Sequence, residues 1–377
     1  MRIYNLLKDF LLPKEVLYLQ DDDSFNLALR DLEANNILAI DTEFVWRNTY
    51  FPKLSLIQIS TYKKIYIIDC ITLNISELEK IFINKKILKI FHSIRGDISV
   101  LSNCLGFKIE NIFDTQLAED ILSQRKGAQI SYKKLVKKYF FKDISKSETN
   151  SDWERRPLKK KQVDYAAEDV MYLLPIADTL SEKLDKKGRL DWVHQDSASL
   201  LNPNLYKLPN KSAIDRIKGA RKFYGVKREL AIQLASWREK KAIHLNRPRQ
   251  WIISDQNLLN IVDRLPVSKK QLSEIKGLPS KFIANFDMSI INNVKASDEL
   301  TKIHKPPQPF NEDQKELLKK MHNMVSECAK DHGLATETLA SKRELSLLIK
   351  KGSTESKIIN GWRRELIGEQ LLKLVKT

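Results

Sequence analysis

The chain is short of the features that mark membrane and secreted proteins. No apolar run approaches the roughly 18–20 residues that span a bilayer, which excludes a helical membrane protein. Cysteine is scarce: Cys70, Cys104 and Cys328 are too scattered for a disulfide framework or a zinc site. The opening stretch MRIYNLLKDFLLPKEVLYLQ is broken by Lys8, Asp9 and Pro13 and lacks the charged, apolar and small-residue order of a signal peptide. These absences set the expectation of a reducing, cytoplasmic compartment without membrane association. Histidine is rare as well. His92 is the only one before residue 190 and reads first as a packed strand-end residue, second as a site contributor.

What is present is the profile of a globular protein, 42% hydrophobic and 30% charged over 377 residues, a length suited to two or three domains. The net charge of +17 is unevenly distributed. Residues 1–200 carry 31 Lys and Arg against 29 Asp and Glu, whereas residues 201–377 carry 34 against 19. A field so lopsided favours a polyanion, most simply nucleic acid; a Lys-rich solvated surface is the alternative.

The first half alternates two periodicities. Residues 37–44, 54–60, 65–69 and 87–91 read as strands, the middle two as a hairpin around TYKK. Helical patterns occupy 76–83, 95–104, 115–124, 131–139 and a long stretch at 160–186. This order predicts a mixed sheet flanked by helices. NPNLYKLPNK (202–211) reads as a linker, and strand signals almost vanish beyond it. Helices are expected at 213–241, 255–265, 268–276 and 279–286. After a proline break at KPPQPFNED (305–313), they resume at 311–331, 335–350 and 354–375. The expectation is an α/β domain over 1–205 and two small all-α domains over 210–292 and 306–377, without an internal repeat.

The strand ILAIDTEFVW (37–46) poses the chemical question, because its apolar half runs into two acids. Residues i and i+2 of a strand share a face, so Asp41 and Glu43 lie side by side and repel unless a cation sits between them. On their own they fit either a metal site or a solvated acid pair. Asp97 follows the strand 87–91 near a helix start, where capping is its ordinary role. Tyr165 and Asp169 are i and i+4 on a helix and share its face.

Together these residues match a known pattern. D-x-E on a first strand, an Asp after a later strand and Y-x-x-x-D on a late helix resemble the DEDD exonucleases. The segments AIDTEFVWRNTYFPKLSLIQIS (39–60), FHSIRGDISVL (91–101), FDTQLAEDIL (113–122), SDWERRPL (151–158) and DYAAEDVMYLLPI (164–176) are similar to the RNase D branch. The resemblance implies an RNase H-like, DnaQ-like exonuclease domain. It also implies that Asp41, Glu43, Asp97 and Asp169 are the metal-binding carboxylates and Tyr165 the catalytic tyrosine. Position 164, where the other large branch carries histidine, is Asp164, so the chain resembles the tyrosine (DEDDy) type. Asp114 reads as a helix cap, Asp152 as structural or substrate-proximal, and Asp164 and Glu168 lie at other angles of the helix.

The implied chemistry is 3′→5′ hydrolysis of RNA, releasing nucleoside 5′-monophosphates with two divalent ions, Mg²⁺ or Mn²⁺. Asp41 is assigned as bridging ligand, Glu43 and Asp169 to the nucleophile's ion, and Asp97 to the second ion through water. Tyr165 orients the attacking water, since an ordinary phenol is a poor base at neutral pH. Phe44 is a candidate for stacking on a base, with core packing as the alternative. Gln58 is expected to contact substrate or to satisfy a buried backbone group, and Arg47 and Arg95 are candidates for phosphate contacts.

Residues 213–290 resemble an HRDC domain through LAIQLASWREKKAIHLNRPRQWIISDQNLLNIVDRLP (230–266). Residues 308–377 resemble the second HRDC-like domain of the same family through LASKREL (339–345) and INGWRRELIGEQLL (359–372). Trp237 fits the core by its spacing from Leu230 and Leu234, and Trp251 invites base stacking. Arg363 and Arg364 serve either RNA or the fold. The resulting expectation is a monomeric exoribonuclease acting on tRNA precursors and other structured RNAs with accessible 3′ ends. A DNA exonuclease of the same chemistry and a catalytically silent RNA-binding protein are the alternatives.

Overall fold

In the computed structural model of the chain, the described residues are 14–124, 129–145, 147–202, 210–295, 309–351 and 356–376. The linker expected at 202–211 and the proline break at 305–313 fall largely outside them. The chain divides into two compact bodies. The first comprises residues up to Val45, Leu54–Asn202 and Phe310–Thr377; the second comprises Trp46–Lys53 and Pro203–Pro309.

The first body is built on six strands. They are β1 (Glu15–Leu19), β2 (Ile37–Val45), β3 (Lys53–Ser60), β4 (Lys64–Asp69), β5 (Leu88–Phe91) and β6 (Ile112–Asp114), in the sheet order β1-β4-β3-β2-β5-β6. β3 and β4 form the expected antiparallel hairpin, whereas β1 pairs parallel to β4, β5 to β2 and β6 to β5. Among the described residues up to Asn202, the helices are α1 (Asp22–Glu33), α2 (Glu79–Ile83), α3 (Arg95–Cys104), α4 (Thr115–Leu122), α5 (Tyr132–Phe140), α6 (Lys160–Met171), α7 (Leu173–Asp185) and α8 (Leu190–Leu200).

Two details of this layer place the acids. β2 continues through Val45, so Asp41 and Glu43 lie within the strand rather than at its end. On their face Ala39 and Val45 join a core with Ala166, Ala167 and Val170 of α6, so the acids point towards that helix. β5 pairs with β2 over Ile37–Ala39, and the chain then leaves the sheet through Ser93 (φ +62°) into α3. The second half of β2 therefore faces helices α3 and α6.

The long helix expected at 160–186 is two helices, α6 and α7, broken at Tyr172 (φ −100°, ψ −3°). Pro175 explains the break: it has no N–H to return to the carbonyl of Met171. A similar correction applies at 213–241, where 3₁₀ turns precede a helix over Gly225–His244, because Gly225 takes φ +55°. At 335–350 an extended Ala340 separates Thr336–Leu339 from Lys342–Lys351.

Residues 310–376 pack into the first body. Trp362 stacks on Trp192 of α8 with ring centroids 4.4 Å apart and planes 3° from parallel. Arg363 grips Asp196 of α8 with both terminal nitrogens, at 2.6 and 2.8 Å. Arg363 is therefore committed to the fold, while Arg364 is exposed beside Glu369. In the second body Trp237 lies edge-on to Phe282 and Phe286, in the core as its spacing suggested. No helix among the described residues is long and apolar enough to cross a membrane.

Candidate active site

Three elements, β2, α3 and α6, supply the four acids. Asp41 and Glu43 come from the pleat of β2, a strand fixed by Leu38, Ala39 and Ile40, which are fully buried. Asp169 comes from α6, one turn after Tyr165. The ligand oxygens of Asp41, Glu43 and Asp169 all lie within 4.8 Å of one another. Asp97, in the first turn of α3, is 6% exposed and is held by Thr42, whose hydroxyl donates to its Oδ1 at 2.6 Å. Thr42 sits between the two strand acids and points to the other side of the sheet, so one tripeptide places three groups of the site.

Asp114 places Asp97 indirectly. It caps α4, as expected, by accepting from the Gln116 and Leu117 N–H groups, and it also accepts from Ser93 at 3.1 Å and Ile94 at 3.0 Å. The same carboxylate thus fixes the left-handed turn that launches α3. His92 is a packed strand-end residue: its ring bridges the Thr115 hydroxyl and the Ile130 carbonyl, each at 3.0 Å.

Burial and mutual repulsion dominate the electrostatics of the acids. Burial, then the negative charges of Asp97, Asp169 and Glu43, raises Asp41 well above the carboxylate range. Glu43 is pushed up to about 9 by burial and then by Asp169 and Asp97. Asp97 is pushed up to about 7 by burial, with the Thr42 hydrogen bond acting in the opposite direction. Burial and the charge of Asp169 raise Tyr165 above an ordinary phenol, so it keeps its proton at neutral pH. Oxygen-only donors, mutual repulsion and close spacing fit hard divalent ions.

The remaining expected contacts divide. Phe44 is half-buried and alternates away from the acids. Arg95 is exposed two residues before Asp97, and Arg47 is exposed in the segment that belongs to the second body. Gln58 fulfils neither of its expected roles. It is 0% exposed opposite Ile67 of β4, and neither side-chain polar atom has a hydrogen-bond partner. It is closed off from solvent in this fold. Sequence reasoning missed Thr42 and Thr149, whose hydroxyls touch Asp97 and Tyr165 respectively. Thr42 carried a signal in its position between the two acids, whereas nothing in the spacing marked Thr149.

This geometry agrees with comparisons to known proteins. Residues 16–185 match the family described as 3′–5′ exonuclease, residues 227–292 the HRDC domain, and residues 313–371 the C-terminal HRDC domain of ribonuclease D. Ribonuclease D of Bartonella henselae is 32% identical over 362 residues, spanning 93% of this chain and 87% of that protein. Ribonuclease D of Acidiphilium cryptum is 30% identical over 352 residues, spanning 91% and 88%. The crystal structure of Escherichia coli RNase D, described as an exoribonuclease involved in structured RNA processing, superposes with a TM-score of 0.85 at 24% identity, covering 96% of this chain and 99% of that one. With relatives that span the nuclease layer and both helical modules, the chain belongs to the ribonuclease D family and is a 3′–5′ exoribonuclease.

Proposed function

We propose that the chain removes nucleoside 5′-monophosphates from the 3′ ends of structured RNAs, tRNA precursors among them, with Asp41, Glu43, Asp97 and Asp169 holding two ions of Mg²⁺ or Mn²⁺. The observation that carries this reading is the closure of Asp41, Glu43 and Asp169 within 4.8 Å on a rigid strand and a facing helix. When bound, such ions supply a water of lowered pKa and neutralise charge on the leaving 3′ oxygen. Asp41, which feels the charge of all three other acids, is the central ligand. Tyr165 orients the attacking water through a hydroxyl that keeps its proton. Structured RNA as substrate is supported by the description of the E. coli relative.

Three modules, 1–205, 210–292 and 306–377, make up the working monomer. The middle one supplies the grip on RNA: residues 203–309 hold 21 Lys and Arg against 9 Asp and Glu. It also presents Trp251, 57% exposed, with the Arg247 guanidinium 5.6 Å from its ring. Free thiols at Cys70 and Cys328 suit a cytoplasmic setting.

The test is degradation of 3′- and 5′-labelled RNA with Mg²⁺ or Mn²⁺, with chelator and with Asp41→Asn. Stepwise loss of single nucleotides from the 3′ end, abolished by chelator and by the substitution, is the expected result. RNA left intact under every metal condition overturns it.

A further inference from the structure

Tyr165 is held from two sides by one stretch of chain, residues 147–157, which forms neither helix nor strand. Thr149 Oγ1 lies 3.2 Å from the Tyr165 hydroxyl. The Trp153 indole, 1% exposed, packs by the phenol ring with centroids 6.0 Å apart. The stretch is anchored from beneath by Arg156. Its Nη1 donates to the Trp153 carbonyl at 2.7 Å, and its Nη2 donates to Asp69 at 2.7 Å and to the Ser55 carbonyl at 3.2 Å. Asp69, fully buried at the end of β4, also accepts from the Tyr18 hydroxyl of β1 at 2.6 Å. Between Thr149 and Trp153 the Ser151 N–H donates to the Glu148 carbonyl at 2.9 Å, closing a turn. The end of β4, through Asp69 and Arg156, thus fixes Trp153 and the turn that carries Thr149.

The two hydroxyls lie within hydrogen-bonding distance, and each can donate or accept, so the contact restricts rotation of the Tyr165 O–H whichever of the two donates.

We propose that Thr149 is a positioning residue for RNA hydrolysis, restricting the Tyr165 hydroxyl to the orientation in which it meets the attacking water. The inference rests on Tyr165 being the water-orienting residue. Thr149 itself touches no reacting atom. It is exposed, and a surface hydrogen bond of this length adds little to folding, so its role is separable from stability.

The experiment uses full-length protein carrying Thr149→Val, Thr149→Ser, Tyr165→Phe, or Thr149→Val with Tyr165→Phe. It measures kcat and KM on single-stranded RNA, thermal unfolding, and tyrosine ¹³Cζ NMR of the metal-free protein. Thr149→Val is expected to lower kcat about fivefold, the effect of one ordinary hydrogen bond, with KM changed less than about twofold and Tm by about 1 °C or less. Thr149→Ser restores kcat. Thr149→Val adds nothing in the Tyr165→Phe background. The Tyr165 resonance, identified by its loss in Tyr165→Phe, shifts in Thr149→Val and returns in Thr149→Ser. Wild-type kcat in Thr149→Val beside a reduced Tyr165→Phe overturns the inference and leaves the reading of Tyr165 standing. A further fall in the double variant also overturns it, because Thr149 would then act elsewhere. Wild-type kcat in Tyr165→Phe overturns the reading of Tyr165 and this inference with it.

Discussion

Asp41, Glu43 and Asp169 are placed where the metal-free fold works against itself, since the ligand oxygens of three acids lie within 4.8 Å of one another. Function and stability therefore pull in opposite directions at these residues. Asp41→Asn is expected to reduce kcat by at least about 10³-fold while stabilising the metal-free protein by about 1–3 kcal/mol, because a neutral amide removes the cost of burying a carboxyl beside other acids. Urea unfolding in chelator and single-turnover hydrolysis check the two halves. Glu43 gives a pH signature. Its folded pKa of about 9 lies above the ordinary value of 4.5, so the folded state binds a proton that the unfolded state has released. Stability of the metal-free protein is then greatest below about pH 4.5 on this account and is lost as pH rises towards about 9. Asp97, raised to about 7, adds to the lower part of that window. The fall in Tm between pH 5 and 9 should be smaller in Glu43→Gln, and added divalent ion should reverse it by displacing the protons. An identical slope in Glu43→Gln would remove Glu43 from this account.

Asp114 shows how elements, rather than single side chains, hold the geometry. Its carboxylate terminates β6, caps α4 and pins the Ser93–Ile94 turn that delivers α3 and Asp97. Asp114→Ala leaves four buried or part-buried N–H groups without their acceptor and is expected to cost about 2–4 kcal/mol. It is also expected to weaken metal binding, measured by calorimetry, although Asp114 is not a ligand. Arg363 plays a comparable part for α8. Removing one partner of a buried bidentate pair strands Asp196, so Arg363→Ala should destabilise by about 3–5 kcal/mol in thermal or urea unfolding. Unchanged stability would contradict the assignment of Arg363 to the fold.

Across the whole molecule, charge and chemistry are assigned to different parts of the chain. The acids occupy the first body, whereas residues 203–309 carry most of the excess positive charge. RNA affinity is therefore expected to fall steeply with salt, while kcat at saturating RNA changes little. Trp251→Ala should raise KM about tenfold, within the range for losing one stacked base, and leave kcat on a dinucleotide unchanged. Filter binding and hydrolysis across a salt series measure both. Deleting residues 310–377 would uncover Trp192 and strand Asp196, so the shortened chain is expected to unfold at lower temperature rather than to lose RNA contacts alone.

The sequence by itself determined the local terms. Alternation put Asp41 and Glu43 on one face of β2, the i, i+4 spacing put Tyr165 and Asp169 on one face of α6, and the hairpin and most helices followed from period and turn chemistry. It also marked the helical modules and the uneven charge. The strands β1 and β6, of 5 and 3 residues, escaped it, and so did the helices α1 (Asp22–Glu33) and α8 (Leu190–Leu200). The single helix expected at 160–186 concealed a break that one proline imposes. Only the tertiary structure decided that Gln58 lies in a closed face, that Arg363 is bound to Asp196, and that Thr42 and Thr149 touch Asp97 and Tyr165. These are contacts between residues 16 to 167 positions apart. Local periodicity states which way a side chain faces; which partner it meets there depends on how the sheet, the strap at 147–157 and the C-terminal helices pack together.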